Sequence, residues 1–478
     1  MSRHNRFRAL DKDLGRIGQA EVAQMHAFRP VWRLGLGVLA VVGALLMGMA
    51  LSGAAPGLLA VGAGLVVAAW LGMAIGANDV ANSLGPAVGA GAVGMVPGLV
   101  MVALAGIAGA VLAGGAVSER LASGIVELGP LTSGPRAPMA MVAALIGAVV
   151  WITLATGIGL PVSTSHSIVG GIAGAGAVAF GLGAVTWGTL AMIAVVWVAT
   201  PLVAGSLAGA LLVLLRLKVV EAPDRIAAAL RWLPPLVGLM VGLFSAYLIV
   251  LVDRRIDLPP LVALALLPGV AGVLLTRRTV RQEAARHPAR PGIKPLLRPA
   301  LLIAVVMLGF AHGANDVGNV AGPLSVVLRG QGLVPAMGVV PVTVLLGGGL
   351  AIAAGTLLFG RRLVHMVGSG ITRLNAGRAF CVSLATAVTV LGASALGLPV
   401  STTHVAVGGV FGVGFAREWL DRRRDRRSDA LPAAEARRRI LVRRSHVATI
   451  TVAWLVTVPI TGSLGALACL LVLWAAGV

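Results

Sequence analysis

Charge is what this sequence has least of. Only 12% of its 478 residues are Asp, Glu, Lys or Arg, about half the share that gives a soluble domain its wetted surface. Aromatic residues make up 4%, with a single tyrosine. A nucleic-acid surface interleaves basic residues with stacking groups on a folded domain, and nothing of that kind is present. The two cysteines, Cys381 and Cys469, lie in or beside apolar stretches, with neither disulfide nor metal-ligand spacing. These shortages exclude a chain of soluble domains and a cysteine-stapled scaffold.

What remains is apolar: 58% hydrophobic residues, 65 glycines and a mean hydropathy of +0.96. Runs such as Leu36 to Gly53 and Leu58 to Gly76 recur at bilayer length, and small residues let membrane helices approach closely. The chain is a polytopic membrane protein.

The formal net charge is +21, and 33 of the 38 Lys and Arg residues fall in segments 1–33, 216–231, 277–298, 361–378 and 417–444. The remaining five are Arg120, Arg136, Arg254, Arg255 and Arg329. The positive-inside rule assigns the rich segments to the cytoplasm, where they also meet anionic lipid headgroups. The basic stretch 1–32 reads as a cytoplasmic tail, too long and mixed for a cleaved signal peptide.

The sequence repeats itself. Gly76-Ala-Asn-Asp-Val-Ala-Asn82 returns as Gly313-Ala-Asn-Asp-Val-Gly-Asn319, 237 residues on. Gly159-Leu-Pro-Val-Ser-Thr-Ser-His166 returns as Gly397-Leu-Pro-Val-Ser-Thr-Thr-His404, 238 residues on. Two polar motifs at nearly one offset mean a duplicated unit. Spans are expected near 33–52, 56–90, 95–116, 187–215, 234–252, 259–276, 299–328, 333–358 and 447–475. Segments 137–181 and 378–415, broken by Gly-Leu-Pro-Val, are expected to be re-entrant hairpins. With the N-terminus inside, every basic-rich segment then lies in the cytoplasm and the stray arginines lie outside. The two halves run in opposite senses, an inverted repeat of the kind that holds a transport site at midplane. The expected division is a tail (1–32), an extra helix (33–55), a first repeat (56–215), connecting helices with a basic loop (216–298), and a second repeat (299–478) with a basic loop at 416–446.

Two sets of polar residues lie inside apolar spans. Asn78, Asp79 and Asn82, with Asn315, Asp316 and Asn319, place a carboxylate at bilayer depth in each half, at about 2.5–3.5 kcal/mol on insertion scales. Carboxylate, amide and carbonyl oxygens suit a hard cation. The preceding Gly-Ala is expected to let each helix unwind and free carbonyls for that cation. A hydrogen-bond clamp between helices is the plainer use of such groups. Ser163, Thr164 and Ser165, with Ser401, Thr402 and Thr403, follow Pro161 and Pro399. Helix starts offer unpaired N–H groups and partial positive charge, so these runs can cradle an anion; ordinary N-capping is the alternative. His166 and His404 have no acidic partner nearby in sequence and read as structural. His312 has Ile75 at its matching place and stands beside a coupling site, where packing or proton dependence are its two uses. Glu119 and Glu127 read as solvated charges.

On these motifs the chain, from about residue 56 to its end, resembles the inorganic phosphate transporter (Pit) family. The resemblance implies a phosphate symporter driven by sodium or protons, whose central site is built by Asn78, Asp79, Asn315 and Asp316 and by Ser163–Ser165 and Ser401–Thr403. Where related proteins often hold a glutamate or amide in the helix before the second hairpin, this chain has Ser383, and some bacterial relatives are proposed sulfate permeases. The expectation is therefore an all-α protein of the cell membrane that imports inorganic phosphate with a cation, sodium held at Asp79 and Asp316 or a proton, and needs no other cofactor. A homodimer is compatible with it. A sulfate or other oxyanion permease and an anion channel are the alternatives. An enzyme is disfavoured, because no metal cluster or acid–base–nucleophile set occurs.

Overall fold

The computed structural model describes residues 33–44, 47, 56–127, 135–157, 162–286, 293–335, 338–366, 374–425 and 444–477. Its first half comprises α1 (Arg33–Ala44), α2 (Pro56–Gly89), α3 (Met95–Ala113), α4 (Gly115–Ser123), α5 (Arg136–Gly157), α6 (Thr164–Phe180) and α7 (Trp187–Leu215). Then follow α8 (Arg225–Val252) and α9 (Leu258–Arg286). The second half comprises α10 (Ile293–Asp316), α11 (Gly318–Arg329), α12 (Val342–Met366), α13 (Ala376–Ala395), α14 (Thr402–Asp425) and α15 (Arg444–Ala476). Ten helical stretches are long and apolar enough to cross a bilayer, and among the described residues the only β pairing is an isolated bridge between Val126 and Val185. All-α, as the composition requires.

Burial separates centre from periphery. The most apolar windows of α5 and α13 are 78% buried, whereas those of α8 and α9 are 17% buried. The first pair is therefore core; α8 and α9 pack on each other and present leucines such as Leu239, Leu243, Leu266 and Leu267 outward, which suits contact with acyl chains rather than water.

Helix pairs cross between the halves. α2 packs on α12 and α3 on α10, while α6 packs on α15 and α7 on α14. Glycine permits each approach: a Cβ on Gly76 would collide with the Ile352 carbonyl, and one on Gly313 with the Gly106 carbonyl.

Several expected boundaries move. α9 continues to Arg286 and α14 to Asp425, past the expected ends at 276 and 415, so both basic segments begin as helix, in line with their being partly helical; arginine is a good helix former once apolar turns have nucleated it. Segment 216–231 is a π turn at Arg216–Val220 and then the start of α8, where the Asp224 carboxylate caps the N–H groups of Ile226 and Ala227. The span expected at 333–358 lies at Val342–Met366. Glu119 is not a plain solvated charge. It belongs to α4 and sits 3.6 Å from Arg329 of α11. The first Gly-Leu-Pro break, Gly159 to Pro161, lies outside the described residues, as does much of the loop expected at 416–446. The second is seen: Gly397 adopts a φ of 67°, which favours glycine, between α13 and α14.

Candidate functional site

The Asn-Asp motifs sit on helices that the glycines hold together, not apart. α2 runs without interruption through Asn78, Asp79 and Asn82. In the second half only Val317 separates α10 from α11, and it still bonds in the helical manner, its N–H to Gly313 O at 3.2 Å and its carbonyl accepting from Ala321 N at 2.7 Å. The unwinding expected from Gly-Ala does not occur. A glycine lets a helix loosen or lets a neighbour come close, and here the backbones of Ile352 and Gly106 occupy the space a side chain would need. The carbonyls stay in the helix, and the side chains carry the polarity.

Those side chains converge with the tips of the two broken-helix units. Asp79 Oδ1 accepts from Asn78 Nδ2 at 3.0 Å, from Thr403 Oγ1 at 3.1 Å and from Asn82 Nδ2 at 3.4 Å. Asn82 Nδ2 also donates to Thr403 Oγ1 at 2.9 Å. Across the molecule, Asn315 Nδ2 donates to Asp316 Oδ1 and to Val400 O, each at 2.7 Å, and its Oδ1 accepts from Val400 N at 3.0 Å. Ser165 Oγ donates to the same Val400 carbonyl at 2.9 Å and accepts from Asn319 Nδ2 at 3.4 Å. Thus α2 holds the tip of α14, and α10 and α11 hold the turn before α14 and the tip of α6.

The two serines before the helices act as caps. Ser163 Oγ accepts from His166 N at 3.3 Å and Ser401 Oγ from His404 N at 3.4 Å. Thr164 and Thr402 are the next residues, both buried. Behind the tips, the His166 ring lies 3.7 Å from the Trp197 ring and 4.6 Å from the His404 ring, centroid to centroid. Trp197 Nε1 donates to Pro399 O at 2.9 Å. Both ring nitrogens of His166 are buried without a hydrogen-bond partner among the described residues, so that ring is held by packing and not, as a satisfied core histidine would be, by hydrogen bonds.

Asp79 and Asp316 line one cleft with Ser83, His312 and Thr356. Asp316 is 1% and Asp79 4% exposed, and no Lys or Arg lines the cleft. Asp79 Oδ2 is buried without a donor. A desolvated carboxylate oxygen with no partner is costly, and two carboxylates facing one space repel. Cations or protons relieve both. The polar side chains at the cleft and beside it are oxygen-rich, the donor chemistry that hard cations prefer. Ser83 was invisible as a site residue in the sequence, because its counterpart in the repeat is Val320. Ser383 is buried in α13 and its hydroxyl has no partner among the described residues.

Known proteins are similar to this chain over most of its length. The sequence model of the phosphate transporter family matches residues 75–465. A Helicobacter pylori protein named "Putative phosphate permease" is 37% identical over 428 residues, spanning 87% of this chain and 80% of its own. The chloroplastic inorganic phosphate transporter 2-1 of Arabidopsis thaliana is 32% identical over 82% of this chain and 68% of its own. A solved structure titled "The sodium-dependent phosphate transporter" superposes with a TM-score of 0.75 at 32% identity, covering 86% of this chain and 98% of that one. A duplicated Asn-Asp motif, two broken-helix tips that meet it, and a match over most of the length make this chain a member of the phosphate transporter family.

Proposed function

We propose that this protein imports inorganic phosphate across the cell membrane by symport with a cation, sodium or proton. The observation that carries the reading is the pair of buried carboxylates, Asp79 and Asp316, which line a cleft without a Lys or Arg, with Thr403 of one tip bonded to Asp79 and Ser165 of the other bonded to Asn319. Phosphate brings one to two further negative charges, so its uptake depends on cations entering with it. Asn78, Asp79 and Asn82, with Asn315, Asp316 and Asn319, hold or take up those cations. Thr164, Thr402 and the free N–H groups at the starts of α6 and α14 face the phosphate oxygens, since helix starts bind anions without a basic side chain. The serines Ser163 and Ser401 shape the tips as caps, and Ser165 and Thr403 tie them to the Asn-Asp motifs.

The same reading takes the halves as an inverted repeat and the broken-helix units as re-entrant hairpins. Two features support it. Ser83 pairs with His312 where Asp79 and Asp316 share a cleft, so α2 and α10 pass each other in opposite senses. The tips of the two units also touch, at Ser165 and Val400, as hairpins inserted from opposite sides would. Alternating access then follows from rocking about this junction.

The test is uptake of labelled phosphate into proteoliposomes with sodium and pH varied separately. Accumulation against the phosphate gradient that an imposed sodium or proton gradient drives supports symport. Uptake that stops at equal concentrations whatever the cation gradient points to a channel, and competition by sulfate at equal strength points to a broader oxyanion permease.

A further inference from the structure

Duplication repeats the site's motifs, but the residues flanking the Asn-Asp motifs differ between the halves. The residue before the first Gly-Ala-Asn-Asp is Ile75 and the one before the second is His312. The residue after the first Asn is Ser83 and the one after the second is Val320. The two pairs differ in chemistry. Ile75 and Val320 are both buried and apolar. Ser83 Oγ and His312 Nδ1 are hydrogen-bonded across α2 and α10.

One arrangement of this network leaves a proton-accepting nitrogen in the cleft. When the Ser83 hydroxyl donates to the Asp79 backbone carbonyl, 3.5 Å away, its oxygen accepts from Nδ1–H of His312. A neutral imidazole with its proton on Nδ1 keeps a lone pair on Nε2. That atom is buried without a partner, in a residue 7% exposed, and His312 lines the cleft of the two aspartates. Neither ring nitrogen bonds to a carboxylate: one is held by Ser83 and the other has no partner. The titratable groups that share the cleft are Asp79 of α2 and Asp316 of α10, and α3 and α12 contribute none to its lining.

Resting on the transport reading, we propose that His312, oriented by Ser83, is the proton acceptor of this site. Its Nε2 takes a proton from the cleft, and the resulting imidazolium offsets carboxylate charge in place of one cation. The proton leaves by the same lone pair when the cleft opens to the other side. An imidazole nitrogen can take up and release a proton, so transport by this chain gains a pH dependence that sodium binding at the aspartates does not supply. The imidazole has no counterpart in the first half, so the two carboxylates are not equivalent, although the motif that carries them is repeated.

The experiment compares wild type, His312→Asn and the double variant Ser83→Val with His312→Ile in proteoliposomes at fixed saturating sodium, across pH 5.5 to 8. Phosphate's own ionisation affects all three alike, so the differences report His312. Asn places an amide nitrogen near the position of Nδ1 and keeps a donor for Ser83 but cannot be protonated. The double variant copies the Ile75 and Val320 pair and controls for folding. The expected result is phosphate uptake by all three, with the wild-type profile changing at least threefold more steeply over this range than either variant. Equal profiles would overturn the assignment. Histidine side-chain NMR of the detergent-solubilised protein, with His312 identified by its loss in His312→Asn, reads the imidazole without transport. Titration within the same range supports the proposal even if phosphate proves not to be the cargo. A resonance that stays neutral down to pH 5.5 refutes it even if phosphate uptake is confirmed.

Discussion

Asn82 Nδ2 lies 2.9 Å from Thr403 Oγ1, and Thr403 Oγ1 in turn lies 3.1 Å from Asp79 Oδ1. Through this hydroxyl, residues 321 positions apart in sequence join the carboxylate of one half to the helix tip of the other. A tip that moves must break this link, and a carboxylate that binds a cation must compete with it. Under the proposed function, a cation at Asp79 is coupled to the tip through this one atom.

Thr403→Val keeps the shape of the side chain and removes both bonds. Leaving partly buried polar groups without a partner costs about 1–3 kcal/mol, so the unfolding midpoint of the detergent-purified protein is expected to fall while Thr403→Ser stays near wild type. Equal midpoints for Thr403→Val and wild type would show that the link carries no stability.

Asp79→Asn and Asp316→Asn are expected to fold and to lose cation-driven uptake. The amide retains the carboxylate's shape but not its charge, and no Lys or Arg lines the cleft to rebalance a bound anion. Labelled phosphate uptake at matched protein level decides this. A variant that transports at the wild-type rate would take that aspartate out of the coupling role.

Gly76→Ala and Gly313→Ala test the packing role that replaced unwinding. In each, the new methyl meets a neighbouring backbone carbonyl, of Ile352 or Gly106, which cannot rotate away as a side chain can. Overpacking of this kind costs typically 1–3 kcal/mol, occasionally more, and the aspartates three residues on would be displaced with the helix. Gly347→Ala, with nothing within 4 Å of the added carbon, is the control and is expected to purify with wild-type yield and midpoint. Wild-type midpoints for both motif variants would mean that these helices can separate freely.

Residue type and repetition made the aspartates, the hydroxyl runs and the helical class legible in the sequence. Spacing could not reveal what depends on the partner. Gly76 looks the same in one dimension whether it loosens a helix or admits Ile352, and only the second is true. Ser83 lacks a repeated counterpart and gained meaning from His312, 229 residues away. Glu119 looked solvated because Arg329 is remote in sequence. Helix ends shifted for a related reason: α9 and α14 carry their charge beyond the apolar turns, and hydropathy marks where a span is oily, not where its hydrogen bonds stop.

The last prediction separates capping from anion binding. Ser163 and Ser401 use their hydroxyls to cap the N–H groups of His166 and His404, so alanine at either should cost about 1 kcal/mol of stability and alter phosphate affinity only mildly. Thr164 and Thr402 stand one residue further, at the first turn of α6 and α14. There a hydroxyl adds to the backbone N–H donors that a helix start presents. Alanine at these two leaves the caps and the backbone donors intact and removes one hydrogen bond to a charged ligand. Such a bond is worth about 1.5–3 kcal/mol, or roughly a 10- to 150-fold weaker phosphate affinity. Thr→Ser at the same positions keeps the hydroxyl and should cost far less. Half-saturation of uptake by phosphate, measured with the unfolding midpoint for all four alanine variants, distinguishes the roles. Affinity loss confined to Ser163→Ala and Ser401→Ala, with Thr164→Ala and Thr402→Ala unchanged, would invert the assignment and place the anion on the caps.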